Sequence, residues 1–227
     1  KEARFLAETV GGDKIYKKTG WPVSPILDAA KILWLKNNAP AIFSGAESFV
    51  STLEYINYML TGINAIDPTN AAIRQLYNME TSRWDGEILS AIGITEERLP
   101  VVLKTGQRLG LLRPKAAQEL GLSPETVVFN GAHDQYCASL GTGAVNVGDM
   151  LLSTGTTWVV LAVCDRLLYT DNFISPGIHP AERRFGAMCS LVSAGSALKW
   201  LSGIVGEDYA ELDRGAAGRR ENARDLF

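Results

Sequence analysis

The most regular hydrophobic pattern lies in the middle of the chain. The apolar run Val127-Val128-Phe129 stops at Asn130-Gly131 and predicts a short buried strand. Asp134 then opens a small-residue segment that continues toward Gly141 and predicts a helix. The pattern therefore predicts a strand, a short turn and a helix in direct succession.

Two longer apolar runs follow this helix. They extend from Met150 to Ser153 and from Trp158 to Val163, and the turn Thr154-Gly155-Thr156-Thr157 joins them. Apolar runs on either side of a glycine-containing turn predict two strands of a hairpin. A carboxylate where a strand ends, followed by a turn rich in glycine and hydroxyl groups, favours a catalytic cleft over a packed core.

Helices and short strands are predicted on both sides of this centre, and we expect them to support it. Helices are predicted between Pro25 and Pro40, along a face of Leu53, Ile56, Asn57 and Leu60 that ends at Gly62, from Trp84 to Gly93, over 116–120 and over 193–201. Strands are predicted over 99–101 paired with 106–111, and over 173–177 and 184–191, with His179 solvated between the last two. A loop is predicted at Gly11-Gly12, and a solvated charged helix or frayed end over 213–225.

Composition narrows the class of protein. The chain has 227 residues, of which 46% are apolar and 21% charged, so it forms one large globular domain or two small ones. A net charge of −3 gives no electrostatic footprint for nucleic acid or an anionic membrane. Three widely spaced cysteines give neither a metal pattern nor an even disulfide framework. No apolar run approaches the roughly 20 residues of a membrane span, and no signal peptide precedes Lys1, so we expect a cytoplasmic protein.

Asp134 is the first candidate for chemistry. It lies just past the carboxyl end of a predicted strand, where ligand crevices form in open α/β sheets. A carboxylate there can accept a proton from a substrate hydroxyl or help to hold a divalent metal. The alternative is a helix N-cap that satisfies the amides of residues 136 and 137.

Three further positions have a chemical and a structural interpretation. The turn at 154–157 offers backbone N–H groups, hydroxyls and Gly155, which suits a phosphate, but it also suits an ordinary hairpin. Gly195, at the start of a predicted helix, suits an anion site or close helix packing. Trp21 suits a stacking surface for a sugar ring or a hydrophobic cover over the following helix.

Three motifs, taken in order, resemble the FGGY family of carbohydrate kinases. They are Gly131-Ala132-His133-Asp134-Gln135, Ser153-Thr154-Gly155-Thr156 and Ala194-Gly195-Ser196-Ala197-Leu198-Lys199-Trp200-Leu201. Upstream segments also resemble the first domain of that family: Thr19-Gly20-Trp21-Pro22, Lys31-Ile32-Leu33-Trp34-Leu35, Leu60-Thr61-Gly62, Asp67-Pro68-Thr69-Asn70-Ala71, Trp84 and Leu99-Pro100. The resemblance covers nearly the whole chain.

The resemblance implies an α/β protein with the actin-like (ribonuclease H-like) ATPase fold, which phosphorylates a sugar or polyol with ATP and Mg²⁺. Asp134 matches the catalytic base, which also lies near the magnesium ion, and Gln135 matches a sugar contact, with Trp21 as a weaker one. Gly155, Thr156 and Gly195 match contacts to the nucleotide phosphates. A homodimer is left open; nucleic acid and membrane partners are not expected.

The sequence departs from the family pattern at both ends. It contains no Asp-x-Gly-Thr phosphate loop, and the adenosine-binding glycine region of the family is absent. We therefore expect a fragment, inactive alone, in which 1–147 is the latter part of the sugar-binding domain and 148–227 opens the nucleotide-binding domain. The alternative is a non-catalytic sugar- or nucleotide-binding module with the same fold.

Overall fold

The structure, a computed structural model, describes residues 1–170 and 174–217. Helices provide most of the regular structure, and most begin or end at the capping residues that the sequence supplies. The helices are α1 (Glu2–Leu6), α2 (Gly12–Thr19), α3 (Asp28–Asn38), α4 (Pro40–Gly45), α5 (Thr52–Thr61), α6 (Pro68–Ile73), α7 (Gly86–Ile92), α8 (Pro114–Leu120), α9 (Asp134–Gly141), α10 (Ala194–Val205) and α11 (Tyr209–Ala217). A π-helical turn, Ala7–Gly11, joins α1 to α2, and Glu96–Arg98 forms a 3-10 turn.

The described strands are short and form four sheets. They are β1 (Ala65–Ile66), β2 (Tyr77–Asn78), β3 (Arg83–Trp84), β4 (Val101–Val102), β5 (Arg108–Leu111), β6 (Val127–Phe129), β7 (Met150–Thr154), β8 (Trp158–Cys164), β9 (Ser175–Ile178) and β10 (Phe185–Leu191). β1 pairs with β4 in parallel, whereas β2–β3 and β5–β6 are antiparallel pairs. The remaining sheet has the order β7-β8-β10-β9.

The chain divides into two compact units. Among the described residues, the first comprises 1–151, 161–170 and 174–189, and the second comprises 152–160 and 190–217. The larger apolar core of the first unit gathers buried side chains from α1, α2, α3 and α7, among them Leu6, Ile15, Leu33, Ile88 and Ile92. A smaller cluster, around Ile66 and Tyr77, packs β1 and β2 with α6.

Local predictions hold better than predictions of burial. The helix stops at Gly62 and Gly93 are confirmed, since both glycines are left-handed, with φ of 81° and 84°. The hairpin runs at 150–153 and 158–163 are confirmed as β7 and β8. The strand at 127–129 is confirmed, but its predicted burial is wrong: Val127 is 37% exposed and Phe129 57%.

Four other predictions are wrong or only partly right for reasons of tertiary contact. The predicted face of α5 is only partly right: Asn57 is buried as predicted and Leu53 and Leu60 are half-buried, but Ile56 is 48% exposed and Glu54 is buried instead. Segments 99–101 and 106–111 do not pair with each other, since β4 pairs with β1 and β5 with β6. No loop separates the π-helical turn that ends at Gly11 from α2, which begins at Gly12, although Gly11 has a positive φ of 101°. His179 is buried. Two predicted segments extend beyond the described residues. Phe173 of the predicted strand 173–177 and residues 218–225 of the predicted charged segment 213–225 lie outside them.

No helix in the described part of the chain combines the length and apolar character needed to cross a membrane.

Candidate active site

The turn between β6 and α9 is fixed at both ends. The Asn130 side chain is buried; its Nδ2 donates to the Leu103 carbonyl at 2.8 Å, and its Oδ1 accepts from Asn57 Nδ2 at 3.4 Å. At the other end, the backbone N–H of His133 donates to Thr69 Oγ1 at 2.7 Å. Asp134 therefore follows a turn that the Asn130 side chain and the His133 N–H tie to three other segments of the first unit.

Asp134 is the first helical residue of α9, and its side chain is 80% exposed. Its Oδ1 accepts from the Gln135 N–H at 2.7 Å and lies 3.1 Å from His133 Nδ1. The N-cap is His133, whose Nδ1 also faces the Gln135 N–H at 3.4 Å. The N-cap interpretation of Asp134 is therefore wrong, and its carboxylate is directed to solvent with one oxygen held by the helix start.

Gln135 offers an acceptor beside this carboxylate. Its Oε1 is buried and has no hydrogen-bond partner among the described residues. An unpaired buried amide oxygen is costly in a folded protein unless something else donates to it. A ligand hydroxyl is a suitable donor.

The buried side chain of Tyr136 anchors α9. This residue is not among those that the sequence predicts for the site. Tyr136 is 4% exposed, and burial raises the pKa of its phenol. A Cβ at Gly177 would lie 2.2 Å from the Tyr136 hydroxyl, and a Cβ at Gly186 would lie 2.5 Å from its ring. The two glycines of β9 and β10 therefore make room for this ring, a pairing that no local pattern shows.

His179 is a second residue that sequence reasoning misjudged. It is 3% exposed, and its Nε2 lies 3.1 Å from Ser139 Oγ, whose hydroxyl donates to the Ala144 carbonyl at 2.7 Å. Its Nδ1 accepts from the Ala181 N–H at 3.0 Å, so the proton is on Nε2. Burial lowers the pKa of His179 below its usual 6.5, and Arg184 acts in the same direction.

Trp21 is half-buried, and a hydrogen bond to its backbone carbonyl holds it in place. The Trp21 carbonyl accepts from Gln75 Nε2 at 3.0 Å, and Gln75 itself is 1% exposed. Within the described residues, no hydrogen bond or ring contact joins Trp21 to Asp134 or Gln135. Its role as a sugar contact stays a prediction.

The second unit brings the other predicted residues together. The N–H groups of Gly195 and Ser196 donate to the Thr156 carbonyl at 3.1 and 3.3 Å, and Thr157 Oγ1 donates to the Val192 carbonyl at 3.0 Å. A Cβ at Gly195 would lie 1.9 Å from the Gly155 oxygen, so a side chain there has no room. The start of α10 is thus packed directly on the turn between β7 and β8.

This packing limits the way in which Gly195 could bind an anion. Its N–H already donates within the protein, as does that of Gly155, to Thr157 O at 3.2 Å. A concave surface beside them is lined by residues of this turn, including Gly155 and Thr156, and by residues of α10 and α11, including Lys199, Trp200 and Tyr209. Lys199 gives this surface a cation, which sequence reasoning noted only as part of a motif.

The carboxylate available at this site suits a metal ion that is bound jointly by the protein and by substrate phosphates. Among the described residues, no three His, Cys, Asp or Glu side chains come together in a group that could hold a metal ion. Mg²⁺ usually keeps several waters and takes one or two carboxylates together with substrate phosphates. The exposed Asp134 carboxylate fits that mode of binding.

Comparison with known proteins decides the family. Residues 1–141 match the N-terminal domain of the FGGY family of carbohydrate kinases. The chain belongs to the FGGY family. Two of the three motifs that carried the resemblance lie beyond the matched residues, whereas the Asp134 motif lies within them.

The curated FGGY relatives include kinases that act on two kinds of substrate. The gluconokinase of Bacillus subtilis is 30% identical over 164 residues, which are 72% of this chain and 32% of the relative. The xylulose kinase of Klebsiella pneumoniae is 27% identical over 207 residues, or 91% of this chain and 42% of the relative. This chain therefore spans about a third to two fifths of these relatives.

Solved structures confirm the predicted fold class. A ligand-bound xylulose kinase from Lactobacillus acidophilus superposes with a TM-score of 0.81 at 26% identity, covering 88% of this chain and 41% of the kinase. The chain has the α/β, actin-like fold of FGGY kinases, as a fragment. The division at 147/148 stays a prediction.

Proposed function

We propose that this chain is part of an ATP-dependent carbohydrate kinase in which Asp134 is the catalytic base. The observation that carries the proposal is the Asp134 carboxylate, which is exposed at the start of α9 while the turn before it is tied down by buried polar groups. The family membership supports a kinase over a binding module, since a module has no need of a base at that position.

The proposed chemistry is in-line phosphoryl transfer. The Asp134 carboxylate takes the proton of a sugar hydroxyl while that oxygen bonds to the terminal phosphorus of ATP and the bond to ADP breaks. The Asp134 carboxylate would help to hold Mg²⁺ together with the phosphates, and the ion would neutralise charge on them. The Gln135 N–H orients the carboxylate, and Gln135 Oε1 accepts from a second sugar hydroxyl.

We assign the phosphate contacts to the second unit. Gly155 and Thr156 line the concave surface, and Gly195 lets α10 approach them closely enough to shape it. Lys199 supplies a positive charge on the same surface. Trp21 is retained as a candidate sugar contact.

The substrate class is a sugar, polyol or sugar acid. The relatives include both gluconokinases and xylulose kinases at comparable identity, so identity alone does not choose between them. The proposal is tested with the longest expressed polypeptide that contains this chain, because the chain spans less than half of its relatives. ADP release is measured with ATP and Mg²⁺ across ketoses, aldoses, polyols and gluconate.

The expected result is that one of these compounds stimulates ADP release and is recovered as a phosphate ester. Asp134→Asn should lose most of this stimulation, and Asp165→Asn is its matched control, since Asp165 is also an exposed acid. Binding of a sugar without turnover of any compound would contradict the kinase and favour the non-catalytic module. The 227-residue chain alone is expected to be inactive.

A further inference from the structure

A hydrogen-bond relay connects a buried carboxylate to the residue before Asp134. The His133 N–H donates to Thr69 Oγ1 at 2.7 Å, and the Thr69 hydroxyl donates to Asp67 Oδ2. The direction of the relay is fixed: an amide N–H only donates, so the single hydroxyl proton of Thr69 remains for the carboxylate. Asp67 therefore reaches the backbone at His133 through one hydroxyl.

Asp67 is itself held firmly. Its side chain is 0% exposed; Oδ2 accepts from the Thr69 N–H at 2.7 Å, and Oδ1 accepts from Asn70 Nδ2. Burial raises the pKa of Asp67, while the hydrogen bonds from Thr69 and Asn70 oppose that shift. Every hydrogen bond that the described residues make to this carboxyl group is donated to it, so the group acts as a fixed acceptor.

Capping of α6 explains only part of this arrangement. A cap requires that the Asp67 side chain accept from the backbone of Thr69, which it does. It does not require the Thr69 hydroxyl to accept from His133, 64 residues further along the chain. Together with Asn130, this contact fixes both ends of the turn that precedes Asp134.

We propose that Thr69, oriented by Asp67, is a positioning residue that holds the backbone at His133 and thereby sets the place of the Asp134 carboxylate. The inference rests on the proposed function insofar as Asp134 is the base. Misplacing a catalytic group by about 1 Å reduces the rate by about 100-fold. Loss of the Thr69 hydroxyl should therefore reduce turnover.

Three variants of the full polypeptide test the role of the hydroxyl. Thr69→Val removes it and keeps the branched shape, and we expect kcat to fall about 10- to 100-fold with the sugar KM changed less than about twofold. Thr69→Ser keeps the hydroxyl and should retain kcat to within about threefold. Thr105→Val is the control, since Thr105 Oγ1 also faces Asp67 Oδ2, at 3.4 Å, but makes no hydrogen bond to His133.

A double-mutant cycle distinguishes positioning from general destabilisation. If Thr69 acts through Asp134, Thr69→Val causes no further loss of kcat in an Asp134→Asn background. An equal loss in both backgrounds would overturn the inference. So would a normal kcat for Thr69→Val.

Hydrogen exchange at the His133 amide gives a readout that does not depend on turnover. Thr69→Val should speed that exchange at least about tenfold relative to wild type and Thr105→Val, because the amide loses its acceptor. Unchanged exchange overturns the relay even if no sugar is ever phosphorylated, so failure of the proposed function remains distinguishable. If Thr69→Val does not fold, Thr69→Ser decides: both His133 protection and kcat must survive, and loss of either contradicts the inference.

Discussion

At Gly195, two backbone segments approach more closely than any side chain allows. A Cβ there would lie 1.9 Å from the Gly155 oxygen and 2.9 Å from the Gly155 carbonyl carbon. We predict that Gly195→Ala displaces the turn at 155–157 and raises the KM for ATP about tenfold or more, with little effect on the KM for the sugar. Steady-state kinetics of the full polypeptide measure both constants.

Gly215→Ala is the matched control, because a Cβ at Gly215, in α11, meets nothing within 4 Å. It should leave both constants near their wild-type values. If Gly195→Ala leaves the KM for ATP unchanged, Gly195 and the turn on which it packs are not part of the proposed phosphate-binding region.

The lowered pKa of His179 predicts that the stability of the protein depends on pH. Because its pKa is lower in the folded chain than the usual 6.5, the unfolded chain binds a proton more readily, and stability rises with pH in this range. The contribution of neutral His179 is therefore present above about pH 6.5 and is lost as pH falls through the folded pKa. Urea unfolding at several pH values between about 7.5 and 5.5 measures this loss.

The matched variant for this experiment is His179→Gln, which does not titrate. Its free energy of unfolding should fall less steeply than that of the wild type as the pH is lowered. Parallel pH profiles for the two proteins would show that His179 does not carry the effect.

Among the elements, α3, α5 and α6 are joined by one guanidinium. Arg74 follows α6; its Nε binds Asp28 Oδ2 at 2.6 Å, its Nη1 binds Glu54 Oε1 at 3.2 Å, and its Nη2 donates to the Phe49 carbonyl at 2.9 Å. Glu54 is 0% exposed and also completes the capping box at the start of α5 with Ser51. This network explains why α5 directs a carboxylate inward.

We predict that Arg74→Met destabilises the protein by about 3–5 kcal/mol, because it leaves a buried carboxylate without its cation. Urea unfolding gives the free energy. Lys115→Met is the control: Lys115 and Glu119 form an exposed pair at 3.9 Å, and its loss should be close to undetectable. An equally small effect for Arg74→Met would mean that Glu54 is satisfied in another way.

The same elements show which parts of the fold are readable from sequence. Starts and stops of helices follow from caps and glycines within a few residues, so Gly62, Gly93 and the helix start at Asp134 were predictable. Pairing and burial depend on residues far along the chain. The pairing of β4 with β1, the exposure of Ile56 on α5 and the burial of His179 against Ser139 therefore had no local signal.

The candidate site divides in the same way. Asp134, Gln135 and Gly155 stand out as motif residues, and their ordered set was sufficient to predict the family. The relay from Asp67 through Thr69 to His133 was not predictable, since Asp67-Pro68-Thr69 is an ordinary helix start by its sequence and its contact to His133 spans 64 residues. Its role appears only when the two segments are seen together.

As a whole, the chain corresponds to only part of the kinases it resembles. The chain spans 32–42% of the gluconokinase and xylulose kinase described above. Apolar side chains on α5 and β6, among them Ile56, Met59 and Phe129, are 43–57% exposed. Activity assays therefore need the longest polypeptide that contains this chain.

The most direct test of the central claim is the turnover of Asp134→Asn in that polypeptide, with the sugar that stimulates ADP release. If Asp134 is the base, kcat falls by about 10²–10⁴-fold while the sugar dissociation constant, measured by calorimetry, changes little. Asp165→Asn serves as the control and keeps its kcat. A variant Asp134→Asn that retains the wild-type kcat would contradict the assignment of the base and with it the account of the anchored turn.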